Sequence, residues 1–177
     1  MNASKYLIGV NDEHGIDPPT NGKRTPVMPY LDRSIYENEF NRPAKIMCAI
    51  ALLRSGFRTF DLHPEVTDTS VSSRVRRANY SGINLLITFA YNAFGSGRNF
   101  NSAAGMFTYY SAQTRYAAAS KELSEDVFGS IADDSLQTNG REVSTLTDIG
   151  VLGSVFCPST LVEAGFMTNL REARLML

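Results

Sequence analysis

The sequence has few cysteines, almost no net charge and no long hydrophobic run. Two cysteines, Cys48 and Cys157, are too few for a disulfide scaffold and lack the CxxC spacing of metal sites. Seventeen basic and eighteen acidic residues give a net charge of −1, which argues against non-specific nucleic-acid binding. No stretch of about 18 apolar residues is present, so we expect no transmembrane helix. The 177 residues, 43% of them hydrophobic, indicate one globular domain.

Apolar runs alternate with helical patterns along the chain. The runs predict strands at residues 5–10, 57–62, 84–90, 106–110 and 160–164, and the segment 149–156 remains ambiguous. Helices are predicted after residue 46, from residue 71, over 115–128 and after Asn169. This alternation predicts a single-domain α/β fold. We expect a mostly parallel or mixed central sheet of about six strands, flanked by helices on both faces.

Two of the predicted helices have a pattern that assigns a buried face. Apolar residues at one-face spacing predict the inner face of the first helix; they are Ile46, Ala49, Ile50 and Leu53. Pro43 then belongs to the first turn of that helix, because proline cannot donate a backbone hydrogen bond. In the second helix the arginines are expected on the solvated side, at Arg74, Arg76 and Arg77.

Four ionisable residues are candidates for chemistry. His14 directly follows the first strand, where α/β proteins place their sites, although an exposed loop histidine is the alternative. His63 also follows a strand, has no obvious partner, and is better interpreted as a loop residue. Glu37 precedes the first helix, where the helix dipole favours a carboxylate. Glu163 interrupts an apolar strand, and a buried carboxylate there has the raised pKa typical of general acid–base residues.

Two further motifs are weaker. Gly95-Ser96-Gly97 lacks the spacing of a phosphate-binding loop, so a flexible turn is the better interpretation. Cys157 has no histidine near it in the sequence, and a buried, small apolar role is favoured for both cysteines.

Five motifs in order resemble those of zinc-dependent N-acetylmuramoyl-L-alanine amidases, the family of bacterial autolysins and phage endolysins. The likeness spans almost the whole chain. The motifs are Ile8-Gly9-Val10-Asn11-Asp12-Glu13-His14-Gly15, Tyr36-Glu37-Asn38-Glu39-Phe40-Asn41, Ser72-Ser73-Arg74-Val75-Arg76-Arg77-Ala78-Asn79, Gly105-Met106-Phe107-Thr108-Tyr109-Tyr110, and the closing segment from Pro158 to Asn169.

The resemblance implies a specific chemistry. Such enzymes hold zinc with His, Glu and a second His, and leave the fourth position for water. Zinc lowers the pKa of that water, and a nearby glutamate passes its proton to the departing amine. By resemblance, His14 and Glu37 are two zinc ligands and Glu163 is the catalytic proton carrier. The bond cut joins the lactyl group of N-acetylmuramic acid to the L-alanine of the stem peptide.

One departure from the family pattern affects the metal. The second zinc histidine of the family lies in Ser-x-His-x-Asn-Ala, whereas this chain has Thr88-Phe89-Ala90-Tyr91-Asn92-Ala93. The methyl group of Ala90 cannot coordinate zinc, so an incomplete site with weak Zn²⁺ binding is expected. Tyr91 points to the opposite face of the strand and is a poor substitute. His63 would have to reach in from the loop of another strand.

Three hypotheses follow for residues 1–177 as a catalytic-type domain without a cell-wall-binding domain. The first is a zinc-dependent peptidoglycan amidase of reduced activity. The second is an inactive domain that binds peptidoglycan fragments, because a pocket can survive the loss of one ligand. The third is a domain that only keeps the fold. We expect a monomer that acts on the bacterial cell wall, with no nucleic-acid or membrane partner. The absence of a signal peptide suits a phage lysin or a truncated secreted protein.

Overall fold

The computed structural model describes residues 2–17, 22–132, 138–147 and 150–177. Six strands are β1 (Leu7–Asp12), β2 (Arg58–Asp61), β3 (Leu85–Asn92), β4 (Met106–Tyr110), β5 (Thr138–Thr145) and β6 (Ser159–Phe166). Four α-helices are α1 (Glu37–Arg54), α2 (Val71–Ser81), α3 (Ala117–Ala132) and α4 (Leu170–Ala173), and short 3₁₀ turns span Ala3–Lys5 and Arg174–Met176. Within these ranges, no helix has the length and apolar character needed to cross a bilayer.

The strands form one mixed sheet in the order β2-β1-β3-β6-β4-β5. The first four in that order run parallel to one another, and β4 pairs antiparallel to β6. The parallel strands β1, β3 and β6 therefore place their carboxyl ends at the same edge of the sheet. The predicted α/β class and the mixed six-stranded sheet are confirmed.

Helices cover both faces of the sheet, as predicted. On one face, Ala78 of α2 belongs to an apolar cluster with Leu86 of β3 and Leu161 of β6. On the other face, the Ser124 hydroxyl of α3 donates to the Thr160 hydroxyl at 2.7 Å. Because consecutive residues of a strand point to opposite sides, Thr160 and Leu161 assign the two helices to different faces. Lys45 of α1 contacts Asp12, whereas Arg74 of α2 contacts the preceding strand residue Asn11, so α1 lies on the face opposite α2, with α3.

The buried side of α1 is the reverse of the predicted one. The residues expected to face inward are largely exposed, with Ile46 at 47%, Ile50 at 50% and Leu53 at 54%. The buried residues of α1 are polar instead: Glu37, Asn38, Asn41 and Lys45. The prediction was wrong because apolar periodicity identifies a helix but assumes that its partner surface is apolar. Here the partner surface is a set of charged groups at the sheet edge.

Those charged groups form a buried network centred on Lys45. Its ammonium lies 2.9 Å from Asp12 Oδ1 and 2.9 Å from Asp61 Oδ1, and it donates to the His63 carbonyl at 2.7 Å. The imidazole of His63 is fully buried, with Nδ1 3.0 Å from Asp12 Oδ1 and Nε2 2.9 Å from the Thr67 carbonyl. The hydrogen bonds of His63 and Lys45 help to hold the pKa of Asp12 below its usual value, against the effect of burial. His63 therefore lies in the loop after β2, as predicted, but it is a structural residue, and the expectation that it has no partner was wrong.

Other expectations also need correction. Pro43 lies in the seventh position of α1, because the Glu39 carboxylate caps the helix earlier by accepting from the Tyr36 N–H. Arg74 is buried rather than solvated, and its guanidinium donates to the Asn11 side chain and to the Asp12 carbonyl. The sixth strand is β5, which no apolar run predicted. The described part of 149–156, from residue 150 onward, forms turns and bends.

Replacing Lys45 with Met should destabilise the domain by about 3–5 kcal/mol, because the buried Asp12 carboxylate would lose its principal cation. The matched control is Ile50→Lys on the exposed side of the same helix, with an expected change of about 0.5 kcal/mol or less. Urea unfolding followed by circular dichroism measures both. A Lys45→Met variant as stable as the wild type would show that Asp12 is held by other groups.

Candidate active site

The candidate site lies where β1, β3 and β6 end together. His14 is two residues beyond β1, and the preceding Glu13 N–H donates to the Phe89 carbonyl of β3 at 3.0 Å. Ala90 of β3 and Glu163 of β6 are direct partners in the parallel ladder. Residues far apart in the sequence are thus brought together at one sheet edge.

His14 is held in an unusual backbone conformation and against a glycine. Its φ of 63° is left-handed, a region that non-glycine residues adopt infrequently and that recurs at functional sites. Its Nε2 lies 3.6 Å from Glu37 Oε2. A Cβ on Gly22 would lie 2.7 Å from the imidazole and 2.9 Å from that carboxylate oxygen. Position 22 therefore requires glycine for the loop to pass this close.

Glu37 is the first residue of α1 and is 3% exposed. Its Oε1 accepts from the Tyr91 N–H at 3.1 Å and from the Asn41 amide at 3.2 Å. Its Oε2 accepts from the Lys23 N–H at 3.2 Å and faces His14. Both carboxylate oxygens are thus oriented by hydrogen bonds, and the structure brings His14 and Glu37 together as the motifs predicted.

Ala90 lies between two residues whose backbone contacts the site. The Phe89 carbonyl accepts from the Glu13 N–H, and the Tyr91 N–H donates to Glu37 Oε1. Ala90 is 3% exposed, and its methyl group belongs to the apolar cluster beside α2. The Tyr91 phenol points away and donates to the Glu172 carbonyl at 3.0 Å. Tyr91 therefore offers no replacement ligand, as expected from strand alternation.

Glu163 combines burial with a neighbouring negative charge. Its Oε2 is buried and has no hydrogen-bond partner among the described residues. Burial, with a smaller contribution from Glu37, raises the pKa of Glu163 to about 8. The nearby Lys23 ammonium opposes this effect. A carboxyl group with such a pKa carries a proton near neutral pH, which is the property of a general acid.

Sequence reasoning did not identify Glu13 as part of this site. Burial raises the pKa of its carboxyl group, while the charges of Arg74 and His14 act in the opposite direction. Its position beside His14 was the only available signal. Cys157 belongs to the buried apolar cluster, and burial raises the pKa of its thiol to about 12, which keeps it protonated. The buried apolar interpretation of Cys157 is confirmed.

The residues present do not match a complete catalytic zinc site. Such sites supply three protein ligands and one open position. Within residues 2–17, 22–132, 138–147 and 150–177, no group of three or more His, Cys, Asp or Glu side chains is arranged to hold a metal ion. His14 and Glu37 are two suitable donors, and the methyl group of Ala90 stands at the position that the family pattern gives to the third.

Comparison with solved structures finds the same fold in several cell-wall enzymes. An N-acetylmuramoyl-L-alanine amidase from Clostridium difficile 630 superposes with a TM-score of 0.82 at 24% identity, over 99% of this chain and 87% of that one. Ami1 from Mycobacterium smegmatis gives 0.81 at 17% identity, over 99% and 89%. The catalytic domain of the CD27L endolysin gives 0.73 at 16% identity, over 96% and 86%. At these identities the likeness establishes the fold.

The family assignment comes from the sequence. No curated protein matches the chain at a significant level. The family model described as N-acetylmuramoyl-L-alanine amidase, however, matches residues 14–177, which contain His14, Glu37 and Glu163. This match covers most of the chain and agrees with the fold shared with the solved amidase structures. The chain therefore belongs to the N-acetylmuramoyl-L-alanine amidase family of peptidoglycan hydrolases.

Proposed function

We propose that this domain acts on the amide bond between N-acetylmuramic acid and L-alanine in peptidoglycan, with hydrolysis limited by weak Zn²⁺ binding. The observation that carries the proposal is the position of Ala90, paired with Glu163 and flanked by the backbone groups that reach Glu13 and Glu37. His14 and Glu37 lie together, and Glu163 pairs with Ala90 at the same edge of the sheet. A single missing ligand leaves His14 and Glu37 to bind the metal, with a large loss of affinity.

The other residues retain definable roles. Glu163, with a pKa of about 8, holds a proton that it can give to the departing amine nitrogen of L-alanine. Glu37 is fixed by the N–H groups of Tyr91 and Lys23 and therefore cannot rotate freely into solvent. His14 is fixed by its left-handed backbone and by the close loop at Gly22. These groups are pre-oriented, which is what either catalysis or ligand binding requires.

The same observations favour a second candidate function, binding of peptidoglycan fragments without hydrolysis. Binding depends on many contacts across a pocket, whereas hydrolysis depends on the metal and its water. Loss of one ligand at Ala90 therefore removes hydrolysis and leaves binding. Zinc content, wall clearing and wall binding together distinguish the two candidates.

The substitution Ala90→His should restore the third ligand. After dialysis against micromolar zinc, we expect well under one equivalent of zinc and little clearing of bacterial cell walls by the unaltered chain. The Ala90→His variant should retain close to one equivalent and clear the walls. Metal analysis and turbidity of a wall suspension measure the two outcomes.

The double variant His14→Ala/Ala90→His is the control, because it has the new imidazole but lacks the original one. It should lose both the zinc and the clearing. Stoichiometric zinc with lysis in the unaltered chain would mean that another residue completes the site, and the role assigned to Ala90 would be wrong. Binding of the unaltered chain to walls without clearing would support the second candidate.

The buried proton of Glu163 should make stability depend on pH. Its pKa is raised in the folded state, so the stability of the uncharged form is present at low pH and is lost as the pH rises from about 4.5 toward about 8. Glu163→Gln should therefore match the wild type near pH 5 and exceed its unfolding free energy by a few kcal/mol at pH 9. Urea unfolding in the presence of a chelator measures the difference.

The control is Glu125→Gln on the exposed side of α3, where Glu125 is half exposed beside Lys121. Its effect should be small and nearly the same at both pH values. A constant difference between Glu163→Gln and the wild type across this range would contradict the assignment of a raised pKa to Glu163.

A further inference from the structure

Two cavities of different chemistry meet beside the candidate site. Both include Ala93, which lies three residues beyond Ala90. The first has a volume of about 610 Å³ and is here named the cationic cavity, because Lys23, Arg24 and Arg98 line it. The second has a volume of about 450 Å³ and is named the aromatic cavity, because Phe94, Phe107, Tyr109 and Phe166 line it.

The cationic cavity begins at the active-site carboxylate. Gly22 and Lys23 line it, and the Lys23 N–H donates to Glu37 Oε2. None of the described residues that line this cavity is acidic. Among the described residues, Lys23 and Arg98 form no ion pair within 4.0 Å, and Arg24 lies over the ring of Tyr36. The described lining of the cavity therefore carries positive charge, and the carboxylates near it are those of the site, Glu37 and Glu163.

The turn predicted from its glycines forms part of the lining of the cationic cavity. Gly95 and Gly97 have φ values of 77° and 71°, which side-chain-bearing residues rarely adopt. The turn brings Arg98 to the same cavity as Lys23, although the two residues are 75 positions apart in the sequence. The motif that lacks a phosphate-loop pattern thus has a place in the wall of a binding cavity.

No charged side chain is found among the described residues that line the aromatic cavity. Its polar groups are amides and hydroxyls, including Asn92, Asn101 and Ser102. Phe107 of its wall pairs in register with Glu163 across the β4–β6 ladder, so this cavity also borders the proposed proton carrier. Phe94 is 64% exposed at its rim. Aromatic faces beside amide groups suit a neutral sugar, which has apolar C–H faces and hydrogen-bonding edges.

We propose that the substrate lies across Ala93, with the stem peptide in the cationic cavity and the glycan in the aromatic cavity. This inference rests on the proposed function. The substrate has two chemically different halves joined by the scissile amide: an N-acetylated glycan without charge and a peptide with free carboxylates. The reverse orientation would place those carboxylates in a cavity without a cation and the neutral sugar among three cations, and is disfavoured on electrostatic grounds.

The proposal is tested by binding rather than by hydrolysis, so that the missing metal ligand does not obscure the result. NMR titration of the full chain uses three probes: N-acetylmuramoyl-L-alanyl-D-glutamate, the dipeptide L-alanyl-D-glutamate, and N,N′-diacetylchitobiose. Arg98→Gln should weaken dipeptide binding about threefold and leave chitobiose binding unchanged. Phe94→Ala should weaken chitobiose binding about threefold and leave dipeptide binding unchanged. Raising the salt concentration should weaken dipeptide binding only.

Arg58→Gln is the matched control, because Arg58 is an exposed arginine at the start of β2, at the opposite edge of the sheet from the site. It should change no affinity. Dipeptide binding weakened by Phe94→Ala together with chitobiose binding weakened by Arg98→Gln, or no loss for either probe in either variant, would overturn the proposed orientation and leave the proposed function standing. Glycerol phosphate that competes as well as the dipeptide would make the cationic cavity a general anion site and overturn its assignment to the peptide. Failure of every probe, together with no clearing by Ala90→His, would overturn the proposed function as well.

Discussion

The buried contact between Lys45 and Asp12 is the interaction on which the rest of the site depends. Asp12 ends β1 two residues before His14, and Lys45 lies about two helical turns after Glu37 on the same buried side of α1. The ion pair therefore fixes the distance between the strand that carries one candidate ligand and the helix that carries the other. A charged pair in this position is a weak source of net stability, but removing either partner is costly. It acts chiefly to set geometry.

The sheet was predictable because its strands are apolar runs, which is typical of a sheet covered on both faces. Helix α1 was located from its periodicity, but its orientation was not predictable. Its exposed side carries Ile46 and Ile50, while its buried side carries Lys45 and Asn41, which contact groups at the sheet edge. Periodicity measures apolar spacing and contains no information on buried ion pairs. Strand β5 was missed because it is polar and lies at the edge of the sheet.

The candidate site was also predictable only in part. His14, Glu37 and Glu163 were named from motifs, and the burial of Glu163 was expected from the apolar strand around it. The roles of His63 and Arg74 were not predicted, because their partners at Asp12 lie 51 and 62 positions away in the sequence. Only the folded chain brings such groups together. The one sequence signal for His63 was its position directly after a strand.

Glu37 has two functions that a mutational scan would confuse. Besides facing His14, its carboxylate accepts from the Lys23 N–H, and its own N–H donates to the Lys23 carbonyl at 2.9 Å. These two hydrogen bonds hold Lys23, which lines the cationic cavity, in place at the edge of the sheet. Loss of function on truncating Glu37 would report a displaced loop as much as a lost ligand. Glu37, a candidate metal ligand, is therefore also a structural residue that holds the loop at Lys23 in place.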